Sequence, residues 1–172
     1  FPNFEKIADC FGPQKSILNF NSANFQDQRV EIVRKITNPG FSRWVHIDLG
    51  LTRDHAGIVM GHVSKFVKRS RGEEVVEILP FVEIDFSLNI APPQNGEIEF
   101  SKIRELIYRL VAQGVKIKWV SLDSYQSVDT IQQLKRKGIA SGVFSVDKDP
   151  KAYFLLRESF FDQRMAIPTH ER

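Results

Sequence analysis

Arg43-Trp44-Val45-His46-Ile47-Asp48-Leu49 is the stretch of the sequence that decides the fold. Its β-branched and aromatic residues predict a β-strand. A polar turn at Thr52-Arg53-Asp54 separates it from a second apolar run from Ala56 to Phe66, so the two runs are predicted to form a hairpin. Asp48 stands out in this strand, because an ionised carboxylate among apolar neighbours costs free energy unless something compensates it.

After this hairpin the chain alternates between strand-like and helix-like patterns. A third strand is predicted over 75–90, interrupted or bent at Pro80, with the basic residues of 65–71 in the turn before it. A helix ending near Gly114 is predicted from five apolar residues at helical spacing: Ile103, Leu106, Ile107, Leu110 and Val111. We expect the later elements to be a strand over 117–122, a helix over 128–137, a strand over 142–146, a helix over about 150–161 and a strand over 165–168. This order predicts an α/β domain with a mixed sheet.

Length and composition predict one domain with an additional arm. The 172 residues, 42% hydrophobic and 26% charged, are enough for one sizeable core and too few for two ordinary domains. We interpret 1–40, rich in Asn, Gln and Phe, as an arm or interdomain linker and 41–172 as the domain. The single cysteine, Cys10, excludes an internal disulfide and suits a reducing, intracellular setting. Because no apolar stretch is long enough to span a bilayer, a soluble protein is expected.

Asp48 and Asp123 are the strongest candidates for chemistry. Asp123 directly follows the predicted strand 117–122, so the two carboxylates would converge if the two strands are neighbours. Converging carboxylates bind Mg²⁺ or Mn²⁺, and two such ions can promote hydrolysis of a phosphodiester. Asp54, across the hairpin turn, is a weaker auxiliary candidate. The alternative is structural: Asp48 begins a turn, Asp123 caps the next segment and Asp54 forms the turn.

Basic residues form two clusters that suit a nucleic-acid backbone. Although the net charge is only +3, the clusters could neutralise phosphates: Lys65, Lys68, Arg69 and Arg71 in one, and Lys135, Arg136 and Lys137 in the other. The alternative is a solvated loop and the cation-rich end of a helix. ATP hydrolysis is not expected, because the sequence lacks a phosphate-binding G-x-x-x-x-G-K-[ST] loop.

Several segments together resemble the nuclease domain of phage terminase large subunits, a family with an RNase H-like fold. The resemblance begins with the hairpin from Trp44 to Ile58 and continues in Gly96-Glu97-Ile98-Glu99-Phe100 and in the run from Val120 to Ser127. It extends through Ser145-Val146-Asp147-Lys148-Asp149-Pro150 and Phe161-Asp162-Gln163-Arg164-Met165, and so covers about 41–170. The order of these segments carries the resemblance, since each alone is unspecific.

The resemblance implies a Mg²⁺- or Mn²⁺-dependent endonuclease that cuts concatemeric viral double-stranded DNA during packaging. It implies that Asp48 and Asp123 correspond to two of three metal-binding aspartates and Asp54 to an auxiliary acidic position. The implied partners are double-stranded DNA, a terminase ATPase domain, the small terminase subunit and the portal, in the cytoplasm of the host cell. No membrane partner is implied.

The sequence departs from the family pattern at the third aspartate, which is expected downstream of Arg172, so the C-terminus is interpreted as truncated. Other carboxylates lie near the end of the chain, but the pattern favours none as a replacement: Glu158, Asp162 and Glu171. Two alternatives therefore stay open. One is another RNase H-like nuclease of the resolvase or transposase type, and the other is a non-catalytic DNA-binding or motor-docking module.

Overall fold

The structure is a computed structural model that describes residues 4–12, 16–19, 31–32, 34–50, 55–71, 75–93, 96–123, 127–145 and 150–169. Eight strands are present in these ranges: β1 Leu18–Asn19, β2 Glu31–Ile32, β3 Arg43–Asp48, β4 Ala56–Arg71, β5 Val75–Ile90, β6 Ile117–Leu122, β7 Ser141–Val143 and β8 Met165–Ala166. Four helices accompany them: α1 Phe4–Ala8, α2 Phe100–Ala112, α3 Val128–Arg136 and α4 Lys151–Phe161.

The main sheet has six strands in the order β7-β6-β3-β4-β5-β8. β3, β4 and β5 form the antiparallel start, whereas β6 joins β3, β7 joins β6 and β8 joins β5 in parallel. This arrangement confirms the predicted α/β fold class. A longer connection, usually a helix, must join strands that run parallel, since a short turn cannot return the chain to the same end of the sheet.

One face of the sheet packs on α2 and α3 to make the hydrophobic core. Val45, Ile47, Val120 and Leu122 point into it because alternate residues of a strand share a face. Helix α2 contributes four of the five apolar residues that the spacing identified, Ile103, Leu106, Ile107 and Leu110, whereas the fifth, Val111, is 40% exposed. Helix α3 contributes Ile131 and Leu134. Within the described ranges, no helix is long and apolar enough to cross a membrane.

The opposite side of β3 and β6 is an open face. Trp44 is 46% exposed and Trp119 is 40% exposed, and the two residues are paired in the β3–β6 register. A hollow of about 260 Å³ lies beside them, lined by apolar residues from β3, β4 and β5 and by His46 and Ser121. The parallel strands are thus packed on one face only in this structure.

The hairpin of β4 and β5 corrects two predictions. The basic residues of 65–71 belong to β4 itself rather than to the turn. Strand β5 is not interrupted at Pro80, although the β4–β5 register shifts nearby, between Val63 and Lys65. The register pairs Pro80 with Phe66, and the guanidinium of Arg164 donates a hydrogen bond to the Pro80 carbonyl from outside the hairpin. The backbone nitrogen of Pro80 points to the same outer side, so its missing hydrogen leaves the β4–β5 ladder intact.

The described part of 1–40 packs against the domain. β1 and β2 form a two-stranded antiparallel sheet, and Ile17, Leu18 and Ile36 reach the core. Cys10 is buried near α4, where its thiol lies 3.8 Å from the Phe160 carbonyl oxygen. Short strands of two residues carry too little pattern to be recognised from sequence.

A buried polar cluster holds the beginning of β3. Arg43 is fully buried, and its guanidinium donates to both carboxylate oxygens of Asp85, at 3.1 and 3.3 Å. The same guanidinium donates to the carbonyls of Thr37, Asn38 and Phe41. The Asp85 carboxylate also lies 3.2 Å from Nδ1 of His62, so its charge is compensated on two sides.

We expect Asp85→Ala to lower the free energy of unfolding by about 3–5 kcal/mol, because it leaves Arg43 charged, buried and without its carboxylate. Urea denaturation measures the change. The control is Asp129→Ala, which removes the 69% exposed partner of Arg104 and should cost less than about 1 kcal/mol. Equal losses in the two variants would show that the buried cluster adds no particular stability.

Burial raises the pKa of the Cys10 thiol. The thiol therefore ionises more readily in the unfolded chain, and the free energy of unfolding should fall as the pH rises into the range where the unfolded thiol loses its proton. Urea denaturation at neutral and alkaline pH, compared with Cys10→Ala, isolates this contribution. Identical pH dependence in both proteins would contradict it.

Candidate metal centre

Asp48 and Asp123 lie at the carboxyl ends of two neighbouring parallel strands. Asp48 is the last residue of β3, and Asp123 directly follows β6. The register pairs Ile47 with Leu122, and the Asp123 N–H donates to the Ile47 carbonyl at 3.3 Å. The two aspartates therefore occupy adjacent positions one step beyond the last paired residues.

Both aspartates belong to the open face of the sheet. Asp48 follows Trp44 and His46 at two-residue intervals, and Asp123 follows Trp119 and Ser121 in the same way. Asp48 is exposed, and its partner across the β3–β4 pair is Gly57, which presents no side chain. This edge of the site is accordingly open to a ligand.

The carboxylate of Asp123 has a polar atom that its surroundings do not satisfy. Oδ1 of Asp123 is buried and has no hydrogen-bond partner among the described residues. Such an atom carries a desolvation penalty unless a cation or another donor meets it. A hard divalent cation is the chemical match for an orphaned carboxylate oxygen beside a second, exposed carboxylate.

His46 and Ser121 connect the two strands one row behind the aspartates. Nδ1 of His46 lies 2.9 Å from Oγ of Ser121, and Ser121 donates its hydroxyl hydrogen to the Val45 carbonyl at 3.2 Å. With that hydrogen used, the Ser121 oxygen accepts from His46, which fixes the ring orientation. This contact braces β3 against β6 next to the carboxylates.

The remaining acidic candidates do not join the pair in the described structure. Asp54, Glu171 and the segment 146–149 lie outside the described residues. Asp162 accepts a hydrogen bond from Arg164 at 3.0 Å, and Glu158 belongs to α4. Within the described ranges, no three metal-binding side chains come together. The third ligand expected from the sequence therefore has no counterpart there.

The two predicted basic clusters lie on different parts of the molecule. Lys65, Lys68, Arg69 and Arg71 belong to the distal half of β4, and Arg71 is its last residue. Lys135 and Arg136 end α3, and Lys137 follows them. The β4 cluster is remote from the aspartates along its strand, because Asp48 pairs with Gly57 near the beginning of β4. The α3 cluster precedes β7, and so lies towards the end of the sheet where β6 and β7 begin.

Sequence reasoning missed the rows behind the aspartates. His46 is hydrogen-bonded to Ser121 beside the candidate site, a contact to which the sequence analysis gave no role. The usable signal is the alternation itself: Trp-x-His-x-Asp on β3 and Trp-x-Ser-x-Asp on β6 place matching residues on one face. Pairing the two strands in register was the step that the sequence alone could not supply.

Comparison with known proteins gives matches at the level of structure. No family model matches the chain, and no curated protein sequence matches it. The large terminase nuclease of thermophilic phage G20c is similar over 98% of this chain and 75% of its own, with a TM-score of 0.58 at 12% identity. The large terminase of another thermophilic bacteriophage is similar over 77% of this chain, with a TM-score of 0.55 at 13% identity.

The chain spans only 29% of the length of that second large terminase. At 12–13% identity these likenesses concern the arrangement of strands and helices. The six-stranded mixed sheet, with its antiparallel start and its parallel additions, has the same architecture. This chain therefore has the RNase H-like fold of the nuclease domains of phage large terminases.

Proposed function

We propose that this chain is a divalent-metal-dependent endonuclease domain that hydrolyses phosphodiester bonds of double-stranded DNA during phage genome packaging. The observation that carries the proposal is the pairing of Asp48 and Asp123 at adjacent strand ends, with the buried Oδ1 of Asp123 lacking a hydrogen-bond partner among the described residues. The likeness to two large-terminase structures supports the assignment of this site to DNA cleavage.

The residues present fit Mg²⁺ or Mn²⁺. Both ions prefer oxygen ligands, and the site offers an exposed carboxylate and a half-buried carboxylate with an unsatisfied oxygen. Asp48 and Asp123 would hold the metal, with Asp54 as an auxiliary ligand. When bound, a pair of such ions supplies an activated water and stabilises the leaving oxygen of the phosphodiester.

The protein's own contribution is to hold the two carboxylates in place. The N–H of Asp123 donates a hydrogen bond to the Ile47 carbonyl, which holds Asp123 against β3. The contact between His46 and Ser121 joins the same two strands two residues earlier. Rigid carboxylates need little rearrangement when a cation binds, so the strand pairing favours both metal affinity and a reproducible position for the scissile phosphate.

A second candidate is a non-catalytic DNA-binding or motor-docking module. It is favoured by one observation, the lack of a third metal-binding side chain near the pair within the described part of the chain. Another RNase H-like nuclease, of the resolvase or transposase type, would use the same two carboxylates and would depend on metal in the same way. The kind of DNA that is cut would distinguish it from a terminase nuclease.

We further propose the partners that packaging requires. These are double-stranded DNA as the substrate, an ATPase domain that moves it, the small terminase subunit and the portal, in the cytoplasm of an infected host cell. The likeness to two large-terminase structures supports this set, and the chain spans 29% of the length of one of them.

Asp123→Asn is expected to stabilise the metal-free protein by roughly 1 kcal/mol, because it removes a charged carboxylate with an unsatisfied buried oxygen. The same substitution should abolish the increase in melting temperature that Mn²⁺ produces in the unaltered chain. Thermal unfolding with Mn²⁺ and with EDTA measures both effects. Undiminished stabilisation of the variant by Mn²⁺ would exclude Asp123 as a ligand.

Plasmid cleavage tests the activity itself. The unaltered chain should nick and linearise supercoiled DNA with Mn²⁺ or Mg²⁺ and not with EDTA, and Asp48→Asn and Asp123→Asn should each lower the rate by at least about 100-fold. Asp129→Asn, at an exposed position on α3, is the matched control and should cut normally.

The two candidate functions give different results in this assay. If metal stabilises the protein and the protein binds DNA but does not cut it, the nuclease proposal fails and the binding module is favoured. Cleavage that persists in Asp48→Asn would show that the catalytic centre does not lie at this pair of strands.

A further inference from the structure

One edge of the main sheet carries a concentration of exposed cations that the proposed chemistry does not use. It is the edge where β3, β6 and β7 begin, opposite to the edge where Asp48 and Asp123 lie. Three chain segments contribute to it: 34–42, 113–119 and 135–140. We call their seven exposed basic side chains the basic edge, namely Arg34, Lys35, Lys116, Lys118, Lys135, Arg136 and Lys137.

Backbone hydrogen bonds hold the three segments together. The N–H of Lys116 donates to the Pro39 carbonyl, and the Lys116 carbonyl accepts from Arg43. On the other side, the N–H of Val120 donates to the Ala140 carbonyl, which joins β6 to the segment after α3. Arg34 and Lys35 line a hollow of about 380 Å³ that Pro39 and Gln113 also border.

The three segments that carry these seven cations contain no Asp or Glu of their own. In the described part of the chain, none of the seven cations forms an ion pair; the ion pairs found there involve other basic residues, among them Arg43, Lys102, Arg104 and Arg164. Lys137 is placed over the Tyr108 ring, 6.0 Å from its centre, which leaves its charge available at the surface.

Helix ends explain only part of the pattern. Cations in the last turn of a helix offset the partial negative charge of its carbonyls, which accounts for Lys135 and Arg136. Arg34, Lys35, Lys116 and Lys118 belong to no helix, so this explanation does not reach them. Seven cations from three segments at one edge indicate an anionic ligand.

The β4–β5 hairpin, where the sequence suggested a second DNA contact, has a different character. Lys65 lies over the Phe81 ring at 4.6 Å, and Arg69 is paired with Glu77 across the strands. The sequence between the two strands adds Glu73 and Glu74. Three acidic residues therefore accompany the four basic ones over 65–81, whereas the three segments of the basic edge contain none.

We propose that the basic edge is a docking surface for the phosphate backbone of duplex DNA, separate from the carboxylate pair. The choice of DNA as the anion rests on the proposed function. Spread over several segments, the cations suit the regularly repeated phosphates of a duplex, and they supply affinity that does not depend on base sequence.

The docking surface and the carboxylates are separated by the length of the strands. Six residues of β6 span about 20 Å, so the basic edge and the carboxylate pair are separate regions of the surface. By alternation along β6, Lys118 belongs to the side of Val120, which the helices cover, whereas Trp119 belongs to the open face.

The test measures DNA binding without cleavage. Fluorescence anisotropy of a labelled duplex of about 30 base pairs, in EDTA over a range of salt concentrations, gives the affinity and its salt slope. We compare the unaltered chain with Lys116→Gln/Lys118→Gln and Lys135→Gln/Lys137→Gln. Each pair should weaken binding at least about tenfold at low salt and flatten the slope by about 0.9 per phosphate contact removed.

The matched control is Lys6→Gln/Arg157→Gln, at exposed positions on α1 and α4, which lowers the net charge by the same amount. It should change the affinity by less than about twofold if the contact is local. Circular dichroism confirms that the variants are folded.

The outcomes separate this proposal from the proposed function. Equal losses in the edge variants and the control, or normal binding by the edge variants, would overturn the docking surface. Duplex binding that depends on the edge while plasmid cleavage fails would retain the docking surface and overturn the nuclease. If the unaltered chain does not bind the duplex, the docking surface for DNA is overturned. Binding of an acidic protein in that case would make a protein the partner of the basic edge.

Discussion

The parallel pairing of β3 with β6 is the constraint on which the candidate site depends. The register sets Ile47 beside Leu122, and the next residue on each strand is an aspartate. A shift of one residue would turn one of the two carboxylates towards the core, since alternate residues face opposite sides of a sheet. The same shift would expose Ile47 or Leu122, both fully buried, so core packing and the position of the site are set by one register.

The beginning of β3 is fixed by polar rather than apolar contacts. Arg43 is enclosed among the carbonyls of Thr37, Asn38 and Phe41 and the carboxylate of Asp85. These partners come from the segment before β3 and from β5. The cluster therefore ties that segment to β5, which is separated from β3 by β4 in the sheet. A buried charge tolerates little displacement of its partners, which makes this a specific anchor for the register.

The sequence predicted what local periodicity determines and failed where tertiary context decides. Helix α2 was evident from its apolar spacing, and Asp48 and Asp123 were conspicuous because each follows an apolar strand.

Pro80 was misread because a proline forbids a hydrogen bond on only one side of a strand, and the neighbours decide which side is free. The contact of His46 with Ser121 joins residues 75 positions apart, so only the register reveals it. The basic edge likewise combines distant segments, and a scan for runs of charge detects only the cluster that ends α3.

Charge is distributed unevenly between the two ends of the sheet, and this has a physical consequence for a polyanion. Two carboxylates at one end repel phosphate unless a cation neutralises them, so little affinity for DNA can originate there in the absence of metal. The cations at the other end attract phosphate whether or not metal is bound. In the proposed arrangement, the basic edge supplies affinity for DNA without metal, and the carboxylate pair acts only when a cation is bound.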